Sequence, residues 1–175
     1  MGDERFGWFA EMLDLGEGDL VLEIGPGSGA SLGELARRLV RGRVVGIDRS
    51  ATAVDRAARR YAAAIESGRI TVARGDFRAL DAGRVRADFD APAGFDRILA
   101  VNVNLFWTTR ASAELALIRA LLAPGGSLLL GYGYGVVSDG PVPSADRLVE
   151  HLAAAGFRSE VRTRGALLAV RARPS

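Results

Sequence analysis

The chain has 175 residues, 49% of them hydrophobic and 25% charged, which suits a single globular domain over residues 1–175. It contains no cysteine, so disulfides, thiolate nucleophiles and cysteine-bound metals are excluded. All 23 residues counted as Lys or Arg are arginine, and they are interspersed with 21 acids to leave a net charge of +2, a pattern that does not predict a nucleic-acid surface. Neither a signal peptide nor an apolar run of membrane length is evident, so we expect a cytoplasmic protein that does not bind membranes.

Short apolar runs alternate with Ala-, Leu- and Arg-rich stretches of helical period, which predicts βαβ units and a parallel sheet. The elements expected in the first half of the chain are a helix at Phe6–Leu15, a strand at Leu20–Ile24, a helix at Ser31–Val40, a strand at Val44–Asp48, a helix capped by Ser50 and running through Glu66, and a strand at Ile70–Ala73. Gly68 is expected to end the third helix.

The second half begins with a polar stretch, Asp81–Gly94, which predicts a loop with at most one helical turn. The elements expected after it are a strand at Phe95–Val101, a helix at Ser112–Leu122, a strand starting with Ser127–Leu130, a loop at Val136–Pro143, a helix at Ala145–Ala155, and strands at Phe157–Arg164 and Ala166–Arg171. The connection around Gly165 is too short for a parallel crossover, so the last two strands are predicted to form an antiparallel hairpin.

A glycine-rich turn, Gly25-Pro26-Gly27-Ser28-Gly29, follows the first strand and precedes a helix. Such a turn lets a ligand approach the backbone and directs a helix N-terminus towards a negative group. Asp48 stands 21 positions after Gly27, at the tip of the second strand, where an acid can accept hydrogen bonds from ribose hydroxyls. A dinucleotide site would need a third glycine where Ala30 stands, and Glu23 would repel a pyrophosphate. The turn therefore favours a ligand with an amino-acid end, whose ammonium suits acidic and carbonyl groups.

Five segments, in order and at ordinary spacing, resemble the motifs of the class I S-adenosylmethionine-dependent methyltransferases. They are Leu22–Gly29, Gly46-Ile47-Asp48, Gly75-Asp76-Phe77, Phe95–Asn102 and Leu121–Leu128. The resemblance covers nearly the whole chain. It implies a doubly wound, mostly parallel α/β sheet of seven strands in the order 3-2-1-4-5-7-6, with strand 7 antiparallel and helices on both faces. It also implies methyl transfer from S-adenosylmethionine, with S-adenosylhomocysteine as the product.

The resemblance implies a cofactor site at the glycine turn and at the ends of neighbouring strands. Asp48 would bind the ribose, Asp76 would hold the adenine amino group, and Phe77 would frame the ring. Asn102, after the fourth strand, could offer its backbone carbonyl to the ammonium. The full set of predicted cofactor residues is Glu23, Gly25, Gly27, Gly29, Asp48, Arg49, Asp76, Phe77 and Asn102.

Aromatic and amide side chains after the fourth and fifth strands predict the acceptor site. They are Asn104, Phe106, Trp107, Tyr132 and Tyr134. Aromatic walls with few charges favour a small apolar or aromatic acceptor. The alternative is that Phe106 and Trp107 are core anchors and that the tyrosines belong to a plain loop. No catalytic residue is assigned, His151 is expected to be exposed or to cap a helix, and no metal site is predicted.

Other functions compete with a small-molecule methyltransferase. The arginine content suggests a nucleic-acid or protein methyltransferase, but Asn102–Trp107 differs from the Asn/Asp-Pro-Pro-Tyr signature of enzymes that methylate base or amide nitrogens. A catalytically silent cofactor-binding subunit would keep the same turn, whereas Glu23 and Ala30 oppose an NAD-binding module. The sequence names neither the acceptor nor the methylated atom. A homodimer partner, the leading helix or the loops at 81–94 and 131–143 could cover the site.

Overall fold

The computed structural model of the protein describes residues 4–133 and 143–175. Its strands are β1 (Leu20–Ile24), β2 (Arg43–Asp48), β3 (Ile70–Arg74), β4 (Phe95–Val101), β5 (Leu122–Tyr132), β6 (Phe157–Arg164) and β7 (Leu167–Pro174). They form one sheet in the order β3-β2-β1-β4-β5-β7-β6. Neighbours from β3 to β5 are parallel, whereas β7 is antiparallel to both β5 and β6. The predicted fold class, strand order and terminal hairpin are confirmed.

Helices pack on both faces of this sheet, as predicted. Within the described ranges they are α1 (Glu4–Leu13), α2 (Ala30–Arg38), α3 (Ala51–Arg60), α4 (Ala62–Glu66), α5 (Ala82–Asp88), α6 (Leu105–Thr108), α7 (Ser112–Leu121) and α8 (Ala145–Ala154). Phe9 of α1 and Leu32 of α2 belong to the apolar cluster on one face. Val85 of α5, Ile118 of α7 and Leu148 of α8 belong to the cluster on the other. None of the helices in these ranges has the length and apolar character needed to cross a membrane.

The central strands are buried on both sides, which is why their sequences are almost continuously apolar. In β1, Val21 joins one cluster, while Leu22 and Ile24 join the other. Both β1 and β4 have the predicted bounds. Glu23 interrupts the apolar run of β1 and is itself buried. This one polar residue of the strand stands two positions before Gly25, the first residue of the glycine turn.

The segment between β3 and β4 contains more helix than the single turn predicted within a loop. Ala82–Asp88 forms α5, whose first turn is capped by the Asp81 carboxylate, which accepts a hydrogen bond of 2.9 Å from the Arg84 N–H. Val85 is the buried residue of this helix. A helix of two turns with so little buried surface gives no periodic signal in the sequence.

Three other differences from the prediction are larger than a shift of a few residues at the end of an element. The helix expected from Ser50 through Glu66 is interrupted at Tyr61, so α3 and α4 are separate. The Tyr61 ring packs closely on α2, since a Cβ at Gly33 would lie 2.5 Å from its hydroxyl oxygen. The short helix α6 follows β4, where no element was predicted. Strand β5 begins at Leu122, before the Pro-Gly-Gly turn, because Leu122 pairs with Phe95 of β4.

Arginine side chains bind the C-terminal carbonyls of five helices. These carbonyls lack partners within the helix and carry the negative end of its dipole. The pairs are Arg97 with Leu13 and Asp14 at α1, Arg69 with Ala36 and Leu39 at α2, Arg43 with Phe89 and Asp90 at α5, Arg86 with Ala120 at α7, and Arg119 with Ala155 and Gly156 at α8. Some of the many arginines of the chain therefore cap the C-terminal ends of helices.

Candidate active site

The glycine turn after β1 requires the left-handed backbone. Gly25, Gly27 and Gly29 have φ values of +68°, +56° and +77°, a region that favours glycine. A Cβ at Gly29 would lie 3.1 Å from the Ala57 Cβ and 3.2 Å from a Tyr61 ring carbon. Gly29, predicted to bind the cofactor, is thus a buried residue that permits α2 to pack against α3.

Asp48 at the end of β2 organises this turn. Its Oδ2 accepts a 2.9 Å hydrogen bond from the Gly27 N–H, and its Oδ1 accepts a 2.9 Å hydrogen bond from the Ser50 N–H. A carboxylate oxygen can accept more than one hydrogen bond, so both oxygens keep capacity for a ligand. The sequence did not predict the direct link between Asp48 and the glycine turn.

Glu23 lies beneath the turn with only 1% of its surface exposed. Its Oε1 accepts a hydrogen bond from the Ser31 hydroxyl in the first turn of α2, whereas its buried Oε2 has no hydrogen-bond partner among the described residues. Burial raises the pKa of Glu23 to about 8, against the lowering effect of the Ser31 hydrogen bond, and the negative charge of Asp48 adds to the rise. The site thus holds a neutral carboxyl group at neutral pH that a nearby cation would ionise.

A cleft of about 430 Å³ opens at the carboxyl ends of β1 to β4. The predicted cofactor residues that line it are Gly25, Asp48, Arg49, Asp76, Phe77 and Asn102. The other three predicted residues, Glu23, Gly27 and Gly29, belong to β1 or the turn and are not on its wall. Apolar residues that were not predicted also line it, notably Ile24, Ile47, Val103 and Leu105. Their position at or just after a strand end is the signal that could have identified them.

Asp76 and Phe77 border the cleft beyond β3. The Asp76 side chain is exposed and accepts a 3.1 Å hydrogen bond from the Arg78 N–H, which caps a 3-10 turn at Phe77–Ala79. Phe77 is 7% exposed and belongs mainly to the apolar core. The Arg78 guanidinium pairs with Glu114, at 3.1 Å from Nε to Oε1.

Asn102 joins the ends of β4 and β5. Its Nδ2 donates to the Gly133 carbonyl at 3.1 Å, and its Oδ1 accepts from the Gly133 N–H at 2.9 Å. Its backbone is in the left-handed region, with φ of +54°. Because the side chain is engaged with Gly133, the backbone carbonyl is the group of Asn102 best suited to a ligand.

The described residues of the predicted acceptor set do not form one aromatic cavity. Phe106 and Tyr132 are 1% and 2% exposed and lie in the core, because the Phe106 ring packs inward from α6 and the Tyr132 hydroxyl donates to the Val103 carbonyl at 3.0 Å. Burial also raises the pKa of Tyr132. Tyr134 lies outside the described residues.

Asn104 and Trp107 occupy positions closer to the acceptor prediction. Asn104 lines the cleft, and its Oδ1 accepts a 3.3 Å hydrogen bond from the half-buried Trp107 indole. The single histidine, His151 of α8, places Nδ1 3.1 Å from the Phe106 carbonyl oxygen in α6. Among residues 4–133 and 143–175, no three His, Asp or Glu side chains come together to hold a metal ion.

Comparison with known proteins identifies the family. A sequence model described as a methyltransferase domain matches residues 21–126, which include the glycine turn, Asp48, Asp76 and β4. No curated protein sequence matches the chain.

Several solved structures share the fold. The [4+2]-cyclase SpnF has a TM-score of 0.75 at 18% identity, with 98% of this chain and 80% of that one covered. An S-adenosylmethionine-dependent methyltransferase from Aquifex aeolicus has a TM-score of 0.74 at 19% identity, covering 95% and 88%. The glycopeptide N-methyltransferase MtfA, complexed with S-adenosylmethionine, has a TM-score of 0.72 at 16% identity, covering 97% and 87%. The chain belongs to the methyltransferase domain family and is an S-adenosylmethionine-dependent methyltransferase.

Proposed function

We propose that the protein transfers the methyl group of S-adenosylmethionine to a small-molecule acceptor at the mouth of the cleft, beside Asn104 and Trp107. The observation that carries this proposal is the neutral wall at residues 102–105, which offers amide and apolar groups and no charge. The cleft volume of about 430 Å³ lies within the roughly 300–1,000 Å³ that is usual for small-molecule sites, which fits the cofactor, so the acceptor is placed at the mouth.

The residues at the turn fit the amino-acid end of S-adenosylmethionine. A buried carboxyl oxygen without a partner is costly, and an ammonium would satisfy it, either directly or through one water molecule. We propose that Glu23 Oε2 takes this role and that the Asn102 backbone carbonyl accepts a second ammonium proton. The turn's backbone N–H groups would face the carboxylate.

The nucleoside end would be held at the next two strands. Asp48, fixed by the backbone N–H groups of Gly27 and Ser50, would accept hydrogen bonds from the ribose hydroxyls. Asp76 would accept one from the adenine amino group, and Arg49 and Phe77 would flank the ring. When bound, S-adenosylmethionine supplies an electrophilic methyl group, so the protein's part is orientation and exclusion of water.

The arrangement of the arginines disfavours a nucleic-acid acceptor. At the cleft, Arg49 shares the wall with Asp48 and Asp76, and Arg78 is paired with Glu114. Phosphate backbones require several placed cations that are free to bind them. This cleft offers few, so a small acceptor is the better match.

Transfer of a labelled methyl group tests the proposal. The protein is incubated with methyl-labelled S-adenosylmethionine and, separately, with a pool of small phenols and amines, with nucleic acids, and with unfolded protein. We expect label in the small-molecule pool, and Trp107→Ala should lower the transfer while cofactor affinity stays within about twofold of wild type. Label in acid-precipitable nucleic acid or protein would contradict the proposal, and cofactor binding without transfer to any pool would favour a silent subunit.

A further inference from the structure

One face of the hairpin formed by β6 and β7 carries an unusual density of arginine. Alternate residues of a strand point to opposite sides, and the register pairs Arg158 with Arg173, Glu160 with Arg171, Arg162 with Ala169 and Arg164 with Leu167. These residues share one side of the sheet, whereas Phe157, Val161, Leu168, Val170 and Ala172 belong to the core on the other. We call the side chains of Arg158, Arg162, Arg164, Arg171 and Arg173 the arginine face.

The charge of the molecule is concentrated on this hairpin. Five arginines and one glutamate give Phe157–Pro174 a formal charge of +4, while the whole chain carries +2, so the remaining residues carry −2. In the described part of the chain, no helix covers the outer half of the arginine face: Arg158, Arg162, Arg164 and Arg173 are exposed. The basic surface is therefore accessible and local.

Three of these arginines have no carboxylate partner among the described residues. Arg171 binds Glu160 at 3.1 Å and Asp14 at 3.4 Å, and Arg162 also pairs with Glu160. Arg158 and Arg173 instead stand directly opposite each other, an arrangement that destabilises a strand pair. Arg164 at the tip faces Leu167. Carboxylates from outside the chain would relieve this uncompensated charge.

A shallow depression of about 270 Å³ lies between α1 and the arginine face. Its lining combines apolar groups from Met12, Leu129 and Ala169 with charged groups of both signs, which are Glu11, Asp14, Glu160, Arg162 and Arg171. Protein interfaces combine an apolar centre with a polar rim in this way. The three acids interrupt the positive surface, so it suits a partner with separate carboxylates and an apolar side chain better than a nucleic-acid backbone, which is negative along its whole length.

We propose that the arginine face docks an acidic surface of a partner protein. Carboxylates of that surface pair with Arg158, Arg164 and Arg173, and one apolar side chain enters the depression beside α1. The tip of the hairpin lies at the carboxyl edge of the sheet, where a Cβ at Gly133 would come within 2.7 Å of the Ala166 carbonyl oxygen. Arg164 therefore lies on the side of the molecule where β5 ends, whereas Arg158 and Arg173 lie at the other end of the hairpin. This proposal does not depend on the identity of the methyl acceptor.

Two triple variants with the same change of charge test the proposal. One is Arg158→Gln/Arg164→Gln/Arg173→Gln, and its control, Arg56→Gln/Arg59→Gln/Arg110→Gln, removes three exposed arginines elsewhere. The probes are a labelled polyglutamate peptide, the same peptide with one central leucine, and a labelled oligothymidine of equal charge. Binding is followed by fluorescence anisotropy at low and physiological salt, and melting curves establish that each variant is folded. The single variant Arg164→Gln, at the tip, serves if the triple variant does not fold.

We expect the hairpin variant to weaken peptide binding by about tenfold or more, and the control variant to weaken it by less than about twofold. The leucine peptide should bind more tightly than polyglutamate, and oligothymidine more weakly than either. Equal losses in both variants, absence of peptide binding by the wild type, or tighter binding of oligothymidine would overturn the proposal. A dimer in sedimentation that dissociates in the hairpin variant would show that a second copy occupies the face and would also overturn it.

Discussion

The two halves of the sheet use charged side chains differently. At the ends of β1, β2 and β3, few acids are present and each is held in place: Glu23 is buried with one oxygen unsatisfied, and Asp48 is fixed by two backbone N–H groups. On the hairpin of β6 and β7, many arginines lie on an open face, and three have no carboxylate partner within the described chain. The first arrangement is that of an enclosed ligand site, and the second is that of a surface for a large partner.

The difference shows that the position of a charged side chain in the fold says more about its function than its mere presence in the sequence. A buried carboxyl oxygen without a hydrogen-bond partner destabilises the folded protein, so its retention points to a ligand that binds it. Exposed charges cost little and pair weakly, so they acquire meaning only when the sheet register brings several of them to one face. α6 and its aromatic residues lie at the border between the two halves.

The largest expected effect distinguishes a core residue of α6 from a residue of the proposed acceptor site. Phe106→Ala should lower the free energy of unfolding by about 3–5 kcal/mol, since it leaves a cavity in the core. Trp107→Ala, at a half-buried position, should cost less stability and should reduce methyl transfer selectively. Chemical denaturation and turnover are measured on both proteins. Equal losses of stability, with no selective loss of transfer in Trp107→Ala, would assign both residues to the core.

The pH dependence of stability tests the buried acid. The pKa of Glu23 rises from 4.5 to about 8 on folding, so the folded state binds the proton more tightly than the unfolded state. The contribution to stability is complete below about pH 4.5 and is lost as the pH rises towards 8. Glu23→Gln should lack this loss. The difference in free energy of unfolding between the variant and the wild type should therefore change in favour of the variant by at most about 2.7 kcal/mol between pH 5 and pH 7. Urea denaturation at each pH measures this, with the exposed Glu66→Gln as control; parallel curves for all three proteins would mean that Glu23 is not perturbed.

A smaller effect is expected on cofactor binding at the second strand. Asp48→Ala should weaken S-adenosylmethionine binding by about 1.5–3 kcal/mol, the usual scale for hydrogen bonds to a charged group. Part of the loss reflects the Gly27 N–H, which also loses its acceptor. Asp55→Ala on the exposed side of α3 is the control in calorimetry. If Asp48→Ala binds S-adenosylmethionine with an affinity within twofold of the wild type, Asp48 does not bind the ribose.

The smallest effect belongs to the hairpin. Arg173→Gln removes one member of the opposed Arg158 and Arg173 pair and should raise the free energy of unfolding by about 0.2–1 kcal/mol. Arg164→Gln, whose cross-strand partner is Leu167, should give no such gain. Denaturation at low salt, where the repulsion is strongest, measures both. A loss of stability in Arg173→Gln would show that its charge is compensated after all.

Elements buried on both faces could be predicted from the sequence alone. β1 and β4 have the predicted bounds because a strand between two helical layers is apolar throughout. The strand order came from the resemblance of five motifs to a known family. The helix α5 and the break at Tyr61 were missed, since a short helix gives little periodicity and the break depends on contact with Gly33 in another helix.

The sequence predicted those residues of the site whose position depends only on being close to the end of a strand. Asp48 ends β2, and Asp76 and Asn102 lie within two residues of the ends of β3 and β4; all three line the cleft. The core placement of Phe106 was one of two alternatives left open, and that of Tyr132 was not predicted. An aromatic residue near a strand end can turn inward or outward, and tertiary packing decides which. The arginine face was also hidden, since alternate arginines in two strands share a side only when the pairing register is known.

Calorimetric titration with S-adenosylmethionine at pH 6.5, in two buffers of different ionisation enthalpy, tests the central claim most directly. The ammonium should ionise Glu23, so the wild type should release up to about one proton per cofactor bound. Glu23→Gln should bind more weakly and release none, and NAD should bind to neither protein. Binding of NAD without S-adenosylmethionine, or identical proton release by wild type and Glu23→Gln, would contradict the account.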